Sequence, residues 1–299
     1  MDTMGWLRTV FPLVVGMYPW VPDEHQEIRD AGSGVLVAPG IALTAAHVTR
    51  SFLRMDSRVD PSRRRKGTFV PQYTTMLYRP SEISPIATVV NWAVDVDWSR
   101  THTDIDILQI VPVNDAAQQA APDLVYLPWR LLPPPVGGQV RLYGYPLPGI
   151  VNDGHDHHLR MQLVGEIATV DEICEPMRDH GMFSFPTYRL NRRLDHGFSG
   201  GPVFFDGALV GIFSGGPDYE DVSYVASLWP LALATFHERS GAEHCVTELV
   251  NGGVISVIDW DAARESIQLR ECEDALKGST VAGRCADRHV VRHAAPLAV

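Results

Sequence analysis

No run of about 18 apolar residues occurs in this sequence, so nothing in it reads as a membrane-spanning helix. Cysteine is scarce. Cys174, Cys245, Cys272 and Cys285 are four residues in 299 and lie mostly in the last third, which excludes a secreted disulfide framework. Only Arg8 supplies positive charge before the first apolar stretch, Pro12 interrupts that stretch, and no small-x-small cleavage pattern follows. No secretory signal is read, and the expected location is the cytoplasm. Basic residues are in deficit as well: 25 Lys and Arg against 36 Asp and Glu give a net charge of -11, which argues against nucleic acid as a partner. The one basic run, Arg63-Arg64-Arg65-Lys66, reads as a solvated loop.

Metal-ligand spacing is weak too. His155-Asp156-His157-His158 lies in a loop with Gly and Asp and reads as a polar hairpin tip. Cys272, Cys285, His289 and His293 have finger-like spacing but lack the paired Cys-x-x-Cys anchor of a zinc site. No metal and no cofactor are expected.

What the chain has in quantity is short strand-like runs separated by Gly, Pro and Asp. They fall at 9–18, 31–37, 41–44, 86–94, 105–113, 139–145, 160–170, 183–190, 202–205, 208–214 and 222–228, a pattern that argues for antiparallel barrels. Residues 19–30 read as a polar connection and 51–75 as a long surface insertion. The segment 114–138, ending in Pro133-Pro134-Pro135-Val136-Gly137-Gly138, reads as a connection between two halves. Trp229 to Arg239 has helix-like spacing and stops before Gly241, as a closing helix would. Beyond it, Asn251-Gly252-Gly253 turns the chain into a strand over Val254–Ile258, and Asp259 or Asp261 is placed to cap a helix running to about Leu276. The expected organisation is an N-terminal barrel over 1–120, a connection over 121–138, a second barrel over 139–241 and an extension over 242–299.

Three short segments carry chemistry. Gly197-Phe198-Ser199-Gly200-Gly201-Pro202 sets a serine in a glycine-rich turn, where its oxygen can be exposed beside free backbone N–H groups. Leu43-Thr44-Ala45-Ala46-His47 supplies His47, a base able to take the serine proton. Thr103-Asp104-Ile105-Asp106-Ile107-Leu108 offers two carboxylates to orient that base. Asp104 and Asp106 would share a face in a strand, and Asp104 is the preferred acid.

In their order and local contexts these segments resemble the chymotrypsin/trypsin-like serine peptidases, especially the bacterial trypsin-like, HtrA-type branch. The resemblance covers about Val10 to about Phe236. It implies an all-β fold of two antiparallel barrels, with His47, Asp104 and Ser199 as a triad and the N–H groups of Gly197 and Ser199 as an oxyanion hole. It also implies that Ser214, Gly215 and Gly216 bind substrate backbone. Arg193, six residues before Ser199, falls on the pocket-base position, where trypsins hold an aspartate. An arginine there would repel basic side chains and could favour Asp or Glu, the alternative being a merely exposed Arg193, and on either reading cleavage after Lys or Arg is not expected. Phe198 stands where trypsins activated by N-terminal cleavage carry an aspartate that pairs with the new terminus. Activation by such an insertion is thus not expected, and the hole must be ordered by the resting fold or another trigger.

The reading is a serine endopeptidase acting on protein or peptide substrates, with narrow specificity or a protein activator or complex partner to restrain it. Its rivals are a non-catalytic binding protein on a peptidase fold and a small-ester hydrolase.

Overall fold

The computed structural model describes residues 7, 9–17, 27–49, 73–75, 92–97, 103–112, 124–146, 149–152, 157–160, 162–195, 197–237 and 243–266. The strands Val10–Met17 (β1), Glu27–Ala38 (β2), Ile41–Ala45 (β3), Tyr73–Thr75 (β4), Trp92–Asp97 (β5) and Ile105–Pro112 (β6) form one antiparallel sheet in the order β4-β1-β2-β3-β6-β5. Its two end strands, β4 and β5, approach each other, so the sheet curls toward a barrel. β3 is buried at every position because it lies between β2 and β6 while the second half of the molecule, through Ala208–Gly215, comes up against it. That explains its unbroken apolar and small composition, Ile-Ala-Leu-Thr-Ala.

The second half begins with Gln139–Gly144 (β7) and a separate hairpin of Gly149–Asn152 (β8) and His157–Arg160 (β9). Val164–Cys174 (β10), Thr187–Leu190 (β11), Pro202–Phe205 (β12), Ala208–Gly215 (β13) and Ser223–Ser227 (β14) then close a barrel with β7, in the order β10-β11-β14-β13-β12-β7. β7 shows how the sequence encodes this: Gln139 and Arg141 face out while Val140 and Leu142 are fully buried. A core inside this barrel includes Leu142, Tyr188, Phe198, Val203 and Phe213. A second, larger core crosses between the halves, joining Val35, Leu43 and Leu108 to Ile212, Tyr224 and Trp129.

The fold is all-β, as the run pattern and the resemblance imply, with differences that have local causes. β2 starts at Glu27, inside the stretch read as a polar connection, because it pairs with β1 from Met17 onward. The expected strand over 183–190 begins only at Thr187; Pro186 just before it has no N–H for the ladder. The insertion at 51–75 ends in β4, and its other residues, like the early part of the run at 86–94, lie outside the described residues. The closing helix over Trp229–Arg239 is corrected. Only a single 3-10 turn forms over Trp229–Leu233, and the chain then extends as Thr235–His237 (β15), paired with Glu243–Cys245 (β16). Pro230 suits a first turn, whereas Thr235 and Phe236 favour extended backbone.

Residues 246–266 fold onto the connection between the halves. A short helix, Val246–Asn251, and a helical turn over 260–266 flank the stretch read as a strand over Val254–Ile258, which makes only a bridge from Val257 to Trp129. Trp129, 1% exposed, donates its N–H to Ser256 at 2.7 Å and accepts from Ile258 at 2.9 Å. Asp259 leads into the 260–266 turn, but its carboxylate is taken up by the N–H groups of Leu131 and Leu132, at 2.9 and 3.0 Å. Val246, Leu249, Ile255 and Ala263 are buried in the core that also holds Trp129, Leu131 and Leu231, at about 1.5–3 kcal/mol for each larger side chain. The expected continuation of the helix to Leu276 lies outside the described residues.

Replacing Asp259 by Ala leaves two connection N–H groups without their acceptor and should cost about 1–3 kcal/mol. Thermal unfolding of Asp259→Ala against the parent checks this, and an unchanged midpoint would refute the clasp.

Candidate active site

β3 runs out at Ala45 and the chain turns through one helical turn over 46–49, so His47 sits at the end of a fully buried strand. The β3–β6 register pairs Ala45 with Ile105, and one further bond from the Ala46 N–H to the Asp104 carbonyl, 2.9 Å, brings residue 104 opposite residue 47. Asp104 then holds His47 twice. Its Oδ1 accepts the His47 backbone N–H at 2.9 Å, and its Oδ2 lies 2.7 Å from His47 Nδ1. A ring nitrogen facing a carboxylate carries the proton, which leaves Nε2 as the acceptor. The Asp104 side chain is only 7% exposed, whereas the imidazole is 45% exposed and reaches the solvent-filled cleft. Asp106 does not meet His47: its carboxylate accepts the hydroxyl of Thr49.

The second barrel supplies the third donor to Asp104. Ser214 Oγ donates to Oδ2 at 2.5 Å, so the desolvated carboxylate receives hydrogen bonds from both halves. The carbonyl of the same Ser214 accepts the hydroxyl of Ser199 at 3.3 Å. In this resting arrangement Ser199 Oγ is turned to Ser214, and His47, Asp104, Ser199 and Ser214 share one cleft of about 610 Å³.

The Ser199 turn is held from below and from the side. A Phe198 N–H to Asp195 carbonyl bond, 3.5 Å, spans a turn with Gly197 at φ 98° in its third position. A residue with a Cβ strains at that angle, and a type I turn does not allow it. Among the described residues, the N–H groups of Gly197 and Ser199 have no acceptor. Phe198 is 2% exposed and packs edge-on to Phe213, with centroids 6.2 Å apart. Burying that ring contributes about 1.5–3 kcal/mol to keeping the turn seated. From the first sheet, Ser33 donates its N–H to the Ser199 carbonyl at 2.7 Å and its hydroxyl to the Gly197 carbonyl at 2.8 Å. The approach is so close that a Cβ on Gly200 would stand 2.1 Å from the Ser33 carbonyl oxygen and 2.2 Å from Thr44 Oγ1.

The cleft is lined on one side by His47, Thr103 and Asp104, and on the other by Ser199, Phe213 to Gly216 and the loop Gly181 to Phe185. Gly215 and Gly216 thus border it. Arg193 also lies on it, but 41% exposed and tied to Asp218, donating to the carbonyl at 2.7 Å and to Oδ1 at 2.8 Å.

Two features were missed in the sequence. One is Ser33, whose signal was a polar residue between glycines just ahead of the apolar run Val35-Leu36-Val37. The other is the wall loop between β10 and β11. There Asp179 Oδ1 accepts the N–H groups of Gly181, Met182 and Phe183 at 2.7, 2.7 and 3.3 Å. Arg178 lies over Tyr224 at 4.5 Å and pairs with Glu220 at 2.9 Å, fastening the loop to the opposite rim. Desolvation pushes the Asp179 carboxyl up, but the three N–H donors and Arg178 together outweigh it and hold it below the usual range. Of the metal-like clusters, His155 and Asp156 and the cysteines and histidines beyond residue 266 lie outside the described residues.

A family model described as a trypsin-like peptidase domain matches residues 32–212. The chain belongs to that family. This trypsin-like peptidase is a serine endopeptidase, a hydrolase acting on protein or peptide substrates. Solved structures similar to it include the active form of the Rv3671c protease from M. tuberculosis, at 17% identity over 79% of this chain and 85% of that one, TM-score 0.47. The HtrA-type protease AlgW with a decapeptide is similar at 16% identity over 74% of this chain and 60% of that one, TM-score 0.45. No curated protein matches the sequence.

The lowered Asp179 carboxyl fixes a sign for the peptidase's wall loop. A carboxyl depressed on folding stabilises the folded form above its unfolded value, and that gain disappears as pH falls through the folded value. Asp179→Ala should therefore melt below the parent at neutral pH, with the gap closing as the solution is acidified past the carboxylate range. Melting curves across pH test it; a gap independent of pH would refute it.

Proposed function

We propose that the peptidase uses Ser199 as nucleophile, His47 as general base and Asp104 as the orienting acid. The observation that carries this reading is Asp104 Oδ2, which receives His47 Nδ1 from one half and Ser214 Oγ from the other at the edge of the cleft that holds Ser199. With Nδ1 committed, Nε2 is the basic atom. Ser199 Oγ leaves the Ser214 carbonyl, turns to Nε2 and passes it the proton as it attacks the scissile carbonyl carbon. Negative charge gathers on the carbonyl oxygen, which the N–H groups of Gly197 and Ser199 receive. His47 returns the proton to the leaving amine, and water, deprotonated by the same nitrogen, releases the acyl group from Ser199.

Extended substrate lies along Ser214, Gly215 and Gly216, whose small side chains leave the backbone accessible. Arg193, paired with Asp218, gives the cleft no free positive charge of its own, and Phe183, Phe185, Leu194 and Phe213 line the adjoining wall together with Ser184 and Asp195. This favours a neutral, apolar side chain before the scissile bond. The enzyme acts inside the cell on polypeptides, without nucleic acid or membrane as partner, and is restrained by narrow specificity or a protein activator. The buried thiol of Cys174 suits a reducing compartment.

A fluorophosphonate probe should label the parent and not Ser199→Ala, and His47→Ala should slow labelling by about 10² or more. Undiminished labelling of Ser199→Ala would overturn the assignment. Among matched peptides, an apolar residue before the cleaved bond should be preferred to Lys or Arg by about tenfold or more in kcat/KM; rapid cleavage after Arg would overturn the neutral-pocket reading.

A further inference from the structure

Ser33 lies in β2, in the first sheet, yet all of its polar groups serve contacts beyond its own strand. Its N–H goes to the Ser199 carbonyl at 2.7 Å, and its hydroxyl donates to the Gly197 carbonyl at 2.8 Å. That same Oγ accepts the Tyr145 N–H at 2.8 Å, and its carbonyl accepts Thr44 Oγ1 at 2.7 Å. The residue is fully buried. The β2–β3 pairing is in register at Val35 with Leu43, and beyond it Gly200 of the Ser199 turn lies against both the Ser33 carbonyl and Thr44 Oγ1. One side chain and one N–H thus grip the carbonyls of the two residues whose own N–H groups have no acceptor among the described residues.

We propose that Ser33 is the positioning residue of the oxyanion hole, so that the first sheet orders a hole built wholly from the second barrel. The inference rests on the reading that the Gly197 and Ser199 N–H groups receive the oxyanion. Those donors are aimed only if the peptide planes around them are fixed, and the two carbonyl bonds fix the planes on their C-terminal sides. Gly197 itself resists nothing, because glycine takes either sign of φ with little cost. Phe198 seats the turn by packing but makes no side-chain hydrogen bond that would orient it. Without the Ser33 hydroxyl, the buried Gly197 carbonyl loses its donor and the Tyr145 N–H its acceptor. The turn then gains by rotating Gly197 until both find other partners, which carries the Gly197 N–H away from the cleft.

Ser33→Ala tests this in the full chain, with kcat and KM read on a neutral peptide and corrected for the folded fraction. Tyr145→Phe serves as a matched control: it removes a buried bond nearby, from the Tyr145 hydroxyl to the Val10 carbonyl, without touching the turn. In Ser33→Ala, kcat should fall by about tenfold or more while KM stays within about twofold, the signature of an interaction made for the transition state. Tyr145→Phe should lower the melting point and keep kcat. Ser33→Cys, a weaker donor at the same place, should fall between Ser33→Ala and the parent. A kcat within about twofold of the parent in Ser33→Ala, or in Ser33→Cys if the alanine variant does not fold, overturns the proposal. So does an equal loss of kcat in Tyr145→Phe. Turnover persisting in Ser199→Ala would instead overturn the reading of the site, and this proposal with it.

Discussion

A buried carboxylate cannot remain charged without donors, and Asp104 draws its donors from two separate sheets. His47 approaches it from the end of β3, and Ser214 from β13 of the closed barrel. Separating the halves would take the Ser214 hydroxyl from the carboxylate, and a hydrogen bond to a charged group contributes about 1.5–3 kcal/mol. The carboxylate that meets the second barrel through Ser214 is the one that also holds the imidazole through His47 Nδ1. Docking of the halves completes this set of hydrogen bonds, and the apolar core crossing from Leu43 to Ile212 supplies the area that makes docking favourable.

Around that ion the second barrel builds a turn that no single force secures. Gly197 and Gly200 give it shape, because their backbone angles and the closeness of Thr44 leave no room for a Cβ. Phe198 gives it weight, as a ring sunk against Phe213. Such an anchor is insensitive to salt, unlike an ion pair at the same place. The wall loop follows a different logic, held by one carboxylate on three N–H groups and by an arginine on an aromatic face, so polar contacts shape the rim while apolar ones shape the floor.

That His47, Asp104 and Ser199 meet at one cleft was legible because each sits in a short segment whose chemistry is local: a base after a buried strand, an acid before one, a serine among glycines. That Asp104 and not Asp106 meets His47 was legible only through the resemblance, since both carboxylates are buried. Ser33 was not, since its partners lie far along the chain and a serine in a strand has many uses. The wall loop was hidden for a related reason. Phe183 and Phe185 look like strand residues by composition, but they are buried against Tyr224 and the cleft rather than paired in a ladder. Pairing also overrode pattern at both edges of the barrels: Glu27–Asp30 extend because β1 lies opposite, and Thr235–His237 extend because β16 does. The stretch 254–258 reads as a strand and is instead a docking segment, because its partner is a connection and not a sheet.

The bonds that complete this molecule span long stretches of chain. Ser33 and Gly197 are 164 residues apart, Ser214 and Asp104 are 110, and Leu131 and Asp259 are 128. Closing such loops costs entropy before any contact repays it, and folds dominated by them form slowly. A chain emerging from its N-terminus has His47 and Asp104 long before it has Ser214 to cap the carboxylate, and the clasp at Asp259 arrives later still. In a chain made from its N-terminus, the cleft that His47, Asp104, Ser199 and Ser214 share is therefore complete only once both halves are in place.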